Sequence, residues 1–190
     1  MRRLPVFTLA VALLAALATF WPPAFAFLVY DRAAVQGGQW WRLATGHLVH
    51  YSATHLFINL LAFLPVGLVA LWRGHRRFPL ALLVSALIVG IGFYFLMPKM
   101  AFYAGLSGIV NAAYGFLFVS EIYREKGKSW LWGAALGILF LKSTLEFLLG
   151  GTFFVGAPET DNFVALPAAH LMGAVVGSIF GHWARKREPG

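Results

Sequence analysis

A few polar side chains interrupt a sequence that is otherwise dominated by apolar residues. Ser107 lies in "YAGLSGIV", flanked by Gly105 and Gly108 and followed by a long apolar run. A serine hydroxyl becomes a good nucleophile when a neighbouring base takes its proton, and histidine is the usual base near neutral pH. His170, in "PAAHLMGAVVG", is the candidate base. Together the two residues predict nucleophilic acyl transfer.

A second polar group could stabilise the negative charge that such a reaction creates. His55 and Asn59 are four residues apart, so they share one helix face and can direct two donors at one point. Gly105 and Gly108 would let backbone and substrate approach Ser107 closely. Each feature also has an ordinary explanation when taken alone, because a membrane-helix serine usually bonds to its own helix. The conjunction of these residues favours catalysis.

Composition identifies the class of protein that must position these residues. Of the 190 residues, 60% are hydrophobic and 12% are charged, which is typical of a membrane protein. The absence of cysteine excludes disulfides and thiol chemistry. The net charge of +8 falls in short clusters between apolar runs, which indicates membrane topology rather than nucleic-acid binding. We therefore expect no nucleic-acid partner, and we predict neither a metal nor a cofactor.

Six apolar runs predict an all-α membrane protein formed by a single six-helix domain over residues 1–190. The predicted spans are 4–20, 55–72, 78–97, 107–123, 130–149 and 164–183. Four lysine and arginine clusters, in the ranges 2–3, 73–77, 124–128 and 185–187, fall on one side of the membrane, so both termini are predicted to be cytoplasmic. One alternative stays open, because the first 27 residues also resemble a signal peptide with Ala24-Phe25-Ala26 as a cleavage site.

The predicted topology brings the polar residues to one depth. His55, Ser107 and His170 each lie in the first turns of their helices from the outer side, within roughly 10 Å of the same level. Small residues on the fourth and sixth helices would allow these helices to approach closely. The two ridges are Gly108, Ala112 and Gly115, and Gly173, Gly177 and Gly181. Close packing of the ridges would bring His170 within hydrogen-bond reach of Ser107.

The motifs together resemble the rhomboid family of intramembrane serine proteases. The matching segments are "WWRLATGHLVHYSATHLFINLL", "GLSGIVNAAYGFLF" and "AHLMGAVVG", in the family's order. The resemblance implies a dyad of a Ser107 nucleophile and a His170 general base with no required acid. It implies an oxyanion hole formed by His55, Asn59 and the Ser107 amide. It also implies that Trp41 and Arg42 belong to a structural loop in the outer leaflet. The fifth helix would be the lateral gate for transmembrane protein substrates in the lipid bilayer.

Within that family, the short form with a compact "GHLVH" and "HLFIN" block resembles rhombosortase. That resemblance implies substrates with a C-terminal Gly-Gly anchor, and transfer of the acyl group to an amine rather than to water. We expect a multi-pass protein of the bacterial inner membrane whose active site opens to the periplasm.

Two features depart from the family pattern. Many rhomboids have an aromatic residue where this chain has Asn111. Asn111 would either hydrogen-bond His170 and set its tautomer or bond to a nearby helix carbonyl. Lys142 and Glu146 lie four residues apart on the predicted gate helix, where mutual pairing is the structural interpretation and contact with substrate or gate is the functional one.

Two other functions fit parts of the sequence. An inactive rhomboid-like protein could bind transmembrane helices without cutting them, although both reactive residues are present. A small transporter could use Lys142 and Glu146 as an ion site, but the sequence has no visible inverted repeat or pair of broken helices.

Overall fold

The computed structural model describes residues 5–152 and 166–185, and these residues are predominantly helical. The long helices lie within three residues of the predicted spans at each end. Their bounds are α1 Val6–Phe20, α5 Ala53–Trp72, α6 Phe78–Leu96, α7 Ser107–Arg124, α8 Ser129–Leu149 and α9 Pro167–Arg185. The shorter elements are α2 Pro22–Leu28, β1 Tyr30–Asp31, α3 Arg32–Gln36, α4 Arg42–Thr45, a 3-10 turn at Gly46–Leu48, and β2 Phe102–Tyr103.

Three of the described helices, α5, α6 and α8, are long and apolar enough to cross a membrane. The pair α1 and α2 would add a fourth crossing if it counts as one span, but it bends by 108°. The bend falls at Trp21, and prolines begin α2. Proline is well tolerated in the first turn of a helix, where its missing N–H has no intrahelical acceptor. The fold is therefore an all-α membrane bundle, while six crossings and the orientation of the termini stay predictions.

Helix α7 lies at the centre of the bundle. Twelve of its eighteen residues are buried, so protein rather than lipid covers most of its surface. It packs most extensively on α9, where glycines bring the two backbones into contact. A Cβ added at Gly173 would collide with the carbonyl oxygen of Gly108, and one at Gly177 with that of Ala112. The small residues of the two ridges are thus required by the distance between these helices.

The segment between α2 and α5 is tied down by Trp41 and Arg42. The Arg42 guanidinium donates to the carbonyl oxygens of Ala26 and Val29 at 3.0 and 2.7 Å. The Trp41 ring stacks on Phe27 with centroids 5.1 Å apart, and its Nε1 donates to the Phe27 carbonyl. These bonds satisfy carbonyls in the last turn of α2 and at the residue that follows it. Both residues act here as anchors of the loop.

A two-stranded antiparallel pairing connects this loop to the segment before α7. Tyr30 pairs with Tyr103, and Asp31 pairs with Phe102. The Tyr103 side chain is buried, and its hydroxyl donates to the Gly105 carbonyl at 2.6 Å. The pairing therefore fixes the chain only a few residues before Ser107.

A buried ionic cluster lies at the far end of α7. Glu121 is fully buried and accepts hydrogen bonds from Arg73, while its other oxygen is 2.7 Å from His75 Nε2. Arg73 also bonds Glu125, just beyond the end of α7, and this contact lowers the pKa of the Glu125 carboxyl. Arg124 donates to the Arg73 carbonyl. The cluster holds the turn between α5 and α6 against α7.

Candidate active site

The polar residues singled out in the sequence meet in one cavity of about 230 Å³. Four helices contribute to its walls. The reactive and polar side chains lining it are His55 and Asn59 from α5, Ser107 and Asn111 from α7, Lys142 and Glu146 from α8, and His170 from α9. Apolar residues such as Ile58, Val110 and Leu139 line the remaining wall. The cavity is therefore lined partly by apolar side chains and partly by this set of polar side chains.

Ser107 is the first residue of α7 and is partly exposed to this cavity. The first amides of a helix have no intrahelical acceptor and carry the positive end of the helix dipole. The turn before Ser107 is held by the first loop, because the Gly105 amide donates to the Gly46 carbonyl at 3.2 Å. A serine in this place presents its hydroxyl next to amides that can stabilise negative charge.

Gly105 must be a glycine for two reasons. Its φ is +140°, a conformation that side-chain-bearing residues rarely adopt. A Cβ here would also lie 2.8 Å from Cε1 and 3.0 Å from Nε2 of His55. The imidazole of His55 therefore lies directly against the turn that leads to Ser107.

His50 also supports this turn, a role that the sequence did not predict. Its Nε2 accepts a hydrogen bond from the Leu106 amide at 3.2 Å. Its Nδ1 lies 3.3 Å from the Thr19 hydroxyl, which itself donates to the Ala15 carbonyl. The acceptor role of Nε2 means that Nδ1 carries the proton and donates to Thr19. His50 thus links α1 to the residue before Ser107, and its position in "GHLVH" was the only signal in the sequence.

His170 lies in the first turn of α9 and is 7% exposed. The α7 and α9 backbones touch beside both reactive residues, since a Cβ at Gly108 would lie 3.2 Å from the Ala169 carbonyl oxygen. His170 Nδ1 is 2.7 Å from Oε2 of Glu146. With Nδ1 bonded to a carboxylate, Nε2 is the nitrogen left to exchange a proton with a nucleophile in the cavity.

Lys142 and Glu146 form the ion pair that their spacing predicts, with Nζ 2.8 Å from Oε2. The same carboxylate oxygen contacts His170, which the sequence did not predict. Glu146 is fully buried, whereas about a quarter of the Lys142 side chain is exposed. The ion pair is therefore also part of the histidine's surroundings.

Asn111 bonds to a carbonyl of its own helix, which is one of the two partners predicted for it. Its Nδ2 donates to the Ser107 carbonyl at 2.8 Å, and its Oδ1 accepts from the Ser143 hydroxyl at 3.3 Å. The hydrogen bonds that the structure gives Asn111 thus go to its own helix and to α8 rather than to His170. Of the two partners predicted for Asn111, these hydrogen bonds include the helix carbonyl, while Glu146 Oε2 lies next to Nδ1 of His170.

His55 and Asn59 face the cavity from α5. The Ser52 hydroxyl caps this helix by accepting from the His55 amide at 3.1 Å. Asn59 Nδ2 donates to the His55 carbonyl at 2.9 Å, which leaves its second hydrogen to be directed elsewhere. The two side chains are thus positioned one turn apart on the face that borders Ser107.

The fold and this cavity define a helical membrane protein with a serine, a histidine and hydrogen-bond donors at one site. The Rhomboid domain family matches residues 37–187 of the chain. The putative rhomboid protease YdcA of Bacillus subtilis (strain 168) is 31% identical over 133 residues, which are 66% of this chain and 67% of YdcA. Rhomboid protease GluP of the same organism is 30% identical over 102 residues, which are 53% of this chain and 20% of GluP.

The chain therefore belongs to the rhomboid family. It is a rhomboid-type intramembrane serine protease, and it is an integral membrane protein.

Proposed function

We propose that Ser107 is the nucleophile and His170 the general base of this protease. One observation carries the proposal: Ser107, His170, His55 and Asn59 line the same cavity although they come from three helices. The contact between the α7 and α9 backbones beside Ser107 and His170 supports it further.

The reaction would proceed in two acyl-transfer steps. His170 Nε2 takes the proton of the Ser107 hydroxyl as Oγ attacks the scissile carbonyl carbon. The tetrahedral intermediate collapses, the C–N bond breaks, and His170 returns the proton to the leaving amine. Water, deprotonated by His170, then attacks the ester and releases the carboxylic acid and Ser107.

The developing oxyanion would be stabilised by His55, Asn59 and the Ser107 amide. Asn59 has a second amide hydrogen to offer, and the Ser107 amide lies in the first turn of α7, where helix amides lack acceptors. Because Gly105 has no Cβ, the His55 ring can lie against the same turn. Removal of one such donor typically costs about 10²–10³ in kcat.

The substrates of this protease are transmembrane proteins, and we propose that they enter past α8. Of the 21 residues of α8, only Leu139, Ser143 and Glu146 are buried, and these form one narrow stripe. A helix held along one stripe separates from its neighbours at lower cost than a helix buried on several sides. Lys142 lies beside that stripe at the cavity wall, where it could contact a substrate segment.

The orientation follows from the lysine and arginine clusters. We propose six crossings with both termini in the cytoplasm of a bacterial cell, and a cavity that opens to the periplasm. Water would reach Ser107 from that side. Labelling of single introduced cysteines with a membrane-impermeant reagent tests this, and labelling at residue 126 in intact cells would contradict it.

The rhombosortase resemblance gives a narrower proposal. Substrates would end in a Gly-Gly motif followed by an apolar helix and a basic tail, and the acyl group would pass from Ser107 to an amine. Coexpression with such a substrate, followed by mass spectrometry of its new C-terminus, distinguishes the acceptors. A free carboxylate would indicate water, and an amide would indicate the amine.

A serine-directed activity probe tests the core proposal. Purified wild-type protein should be labelled by a fluorophosphonate, whereas Ser107→Ala should not be labelled and His170→Ala should be labelled far more slowly. Equal labelling of all three proteins would exclude the proposed pair. Circular dichroism of each variant checks that it is folded.

A further inference from the structure

We propose that Glu146 is a positioning residue that orients His170 by accepting a hydrogen bond from its Nδ1. This inference rests on the proposed roles of Ser107 and His170 and adds a carboxylate to that pair. The Nδ1 to Oε2 distance is 2.7 Å, within the range of a charge-assisted hydrogen bond.

The contact fixes which nitrogen of His170 is the base. A carboxylate only accepts hydrogen bonds, so a histidine nitrogen that bonds to it must carry a proton. Nδ1 is therefore protonated in the resting enzyme, and Nε2 has the free lone pair that takes the Ser107 proton. The same carboxylate stabilises the imidazolium that forms in the transition state. Without it, the ring could rotate or adopt the other tautomer.

Lys142 offsets the cost of burying a charged carboxylate at this position. Glu146 is fully buried in the interior of a membrane bundle, where an unpaired charge costs several kcal/mol. Lys142 Nζ lies 2.8 Å from the same oxygen that contacts His170. The ammonium therefore lies against the carboxylate oxygen that accepts from Nδ1. Lys142 Nζ and His170 Nδ1 thus meet at one carboxylate oxygen and lie 3.5 Å apart.

A purely structural role is the competing explanation. Glu146 lies on α8 and His170 on α9, so their contact also joins two helices. Both roles predict that loss of Glu146 is harmful. They differ in whether an apolar replacement of the whole ion pair restores activity along with stability.

The chain contains a matched control for this question. Glu121 is also fully buried, also lies 2.7 Å from a histidine nitrogen, and also pairs with a cation, Arg73. It lies 14 residues after Ser107 on α7, about 21 Å along the helix at the standard rise of 1.5 Å per residue. Glu121 is not among the residues that line the cavity. A substitution there reproduces the loss of a buried carboxylate without touching the site.

The experiment compares purified Glu146→Gln, Glu121→Gln and the double variant Lys142→Met/Glu146→Met. Glutamine has the volume of glutamate but no charge, and the methionine pair fills the space of the ion pair with apolar atoms. For each protein we would measure kcat and KM for a transmembrane substrate, the midpoint of thermal unfolding, and the rate of fluorophosphonate labelling.

We expect Glu146→Gln to lower kcat by up to about 10⁴, the loss produced by replacing the acid of a serine-histidine-acid triad, with KM changed less than about threefold. Lys142→Met/Glu146→Met should lose as much kcat while unfolding at or above the wild-type temperature. Glu121→Gln should unfold at a lower temperature and keep kcat within about twofold, as expected for a buried position remote from the chemistry. Wild-type kcat in the methionine double variant would overturn the inference in favour of a structural pair.

A spectroscopic reading separates orientation from stability. In protein labelled with ¹⁵N histidine, the wild type should show His170 with a protonated Nδ1, and Glu146→Gln should show a mixture of tautomers or the other tautomer. An unchanged Nδ1-protonated ring in Glu146→Gln would also overturn the proposal. If labelling by the probe depends on Ser107 and His170 but not on Glu146, only this inference fails. If labelling does not depend on Ser107, the proposed function itself fails.

Discussion

Replacing Gly105 by alanine should damage the active site through His55. The new Cβ would lie 2.8 Å from the His55 ring, closer than nonbonded carbon atoms approach, so ring or turn must move. The backbone at φ +140° adds strain of about 1–3 kcal/mol for a residue with a side chain. For a chain of this size, 1 kcal/mol lowers the unfolding midpoint by about 2–4 °C, so we expect a decrease of about 2–12 °C.

The effect on catalysis should exceed the effect of strain alone. Displacement of His55 removes one proposed oxyanion donor, so kcat should fall toward the loss of about 10²–10³ that is typical of such a donor. Gly38→Ala is the matched control, because Gly38 also has a positive φ, +98°, but a Cβ there would meet no atom within 4 Å. It should lower stability by a similar amount and leave kcat unchanged.

The assay is substrate cleavage by detergent-solubilised protein, with thermal unfolding followed in the same preparation. Adding His55→Ala to Gly105→Ala tests the route of the effect. If Gly105 acts through the His55 ring, the two losses in kcat will not add, because the second substitution removes a donor that the first has already displaced. Equal kcat for Gly105→Ala and Gly38→Ala would refute the reasoning.

Three further predictions concern the helices and the ionic cluster. Gly177→Ala should destabilise the protein by about 1–3 kcal/mol through overpacking against α7. In the control Gly137→Ala the new Cβ would meet no atom within 4 Å, so stability should rise by up to about 1 kcal/mol. Equal unfolding midpoints for the two variants would contradict the close contact between α7 and α9. Glu121→Ala should cost about 3–5 kcal/mol, because it leaves buried partners unpaired, and denaturant or thermal unfolding measures this. Arg73 holds the pKa of Glu125 below its usual value, so the stability from this pair is present above the unfolded carboxyl pKa and is lost as pH falls through the lower folded value. Glu125→Gln should therefore flatten the dependence of the unfolding midpoint on acid pH, and an unchanged slope would show that the pair contributes nothing.

The helix positions could be predicted from sequence because each depends on local composition. Apolar runs of sufficient length, separated by charged clusters and glycine or proline, fix where a helix begins and ends to within a few residues. The bend between α1 and α2 was not predicted, although Pro22 and Pro23 mark the place. A proline pair limits where a new helix can begin but does not determine the angle at which it leaves.

Helix α7 shows the limit of what composition predicts. Helix α7 has the length of a span but is not among those apolar enough to qualify. Its neighbours cover it, so Asn111, Ser120 and Glu121 can lie on it without meeting lipid. Sequence hydropathy reports contact with lipid, and a central helix has little of that contact.

The partner of His170 could not be predicted, because the sequence indicates the depth of a residue in the membrane but not the rotation of its helix about the helix axis. The rise per residue places a side chain at a level in the membrane, and this is why His55, Ser107 and His170 could be brought to one cavity from sequence. Rotation of each helix about its axis decides which side chain faces the histidine at that level. Glu146 faces it because α8 buries the single stripe of Leu139, Ser143 and Glu146.

That stripe also explains why Asn111 and Glu146 have the partners they have. Ser143 lies one turn before Glu146 on α8 and meets Asn111 Oδ1, while Glu146 meets Nδ1 of His170. The same face of α8 therefore binds α7 and α9 at successive turns. A rotation of α8 about its axis that broke one contact would weaken the other. Ser143→Ala should therefore change the orientation of the His170 ring only to the extent that α8 rotates. A tautomer shift of His170 in Ser143→Ala that is smaller than the shift in Glu146→Gln would be the signature of that coupling. A shift as large as that in Glu146→Gln would refute the idea that Ser143 acts only through the position of α8.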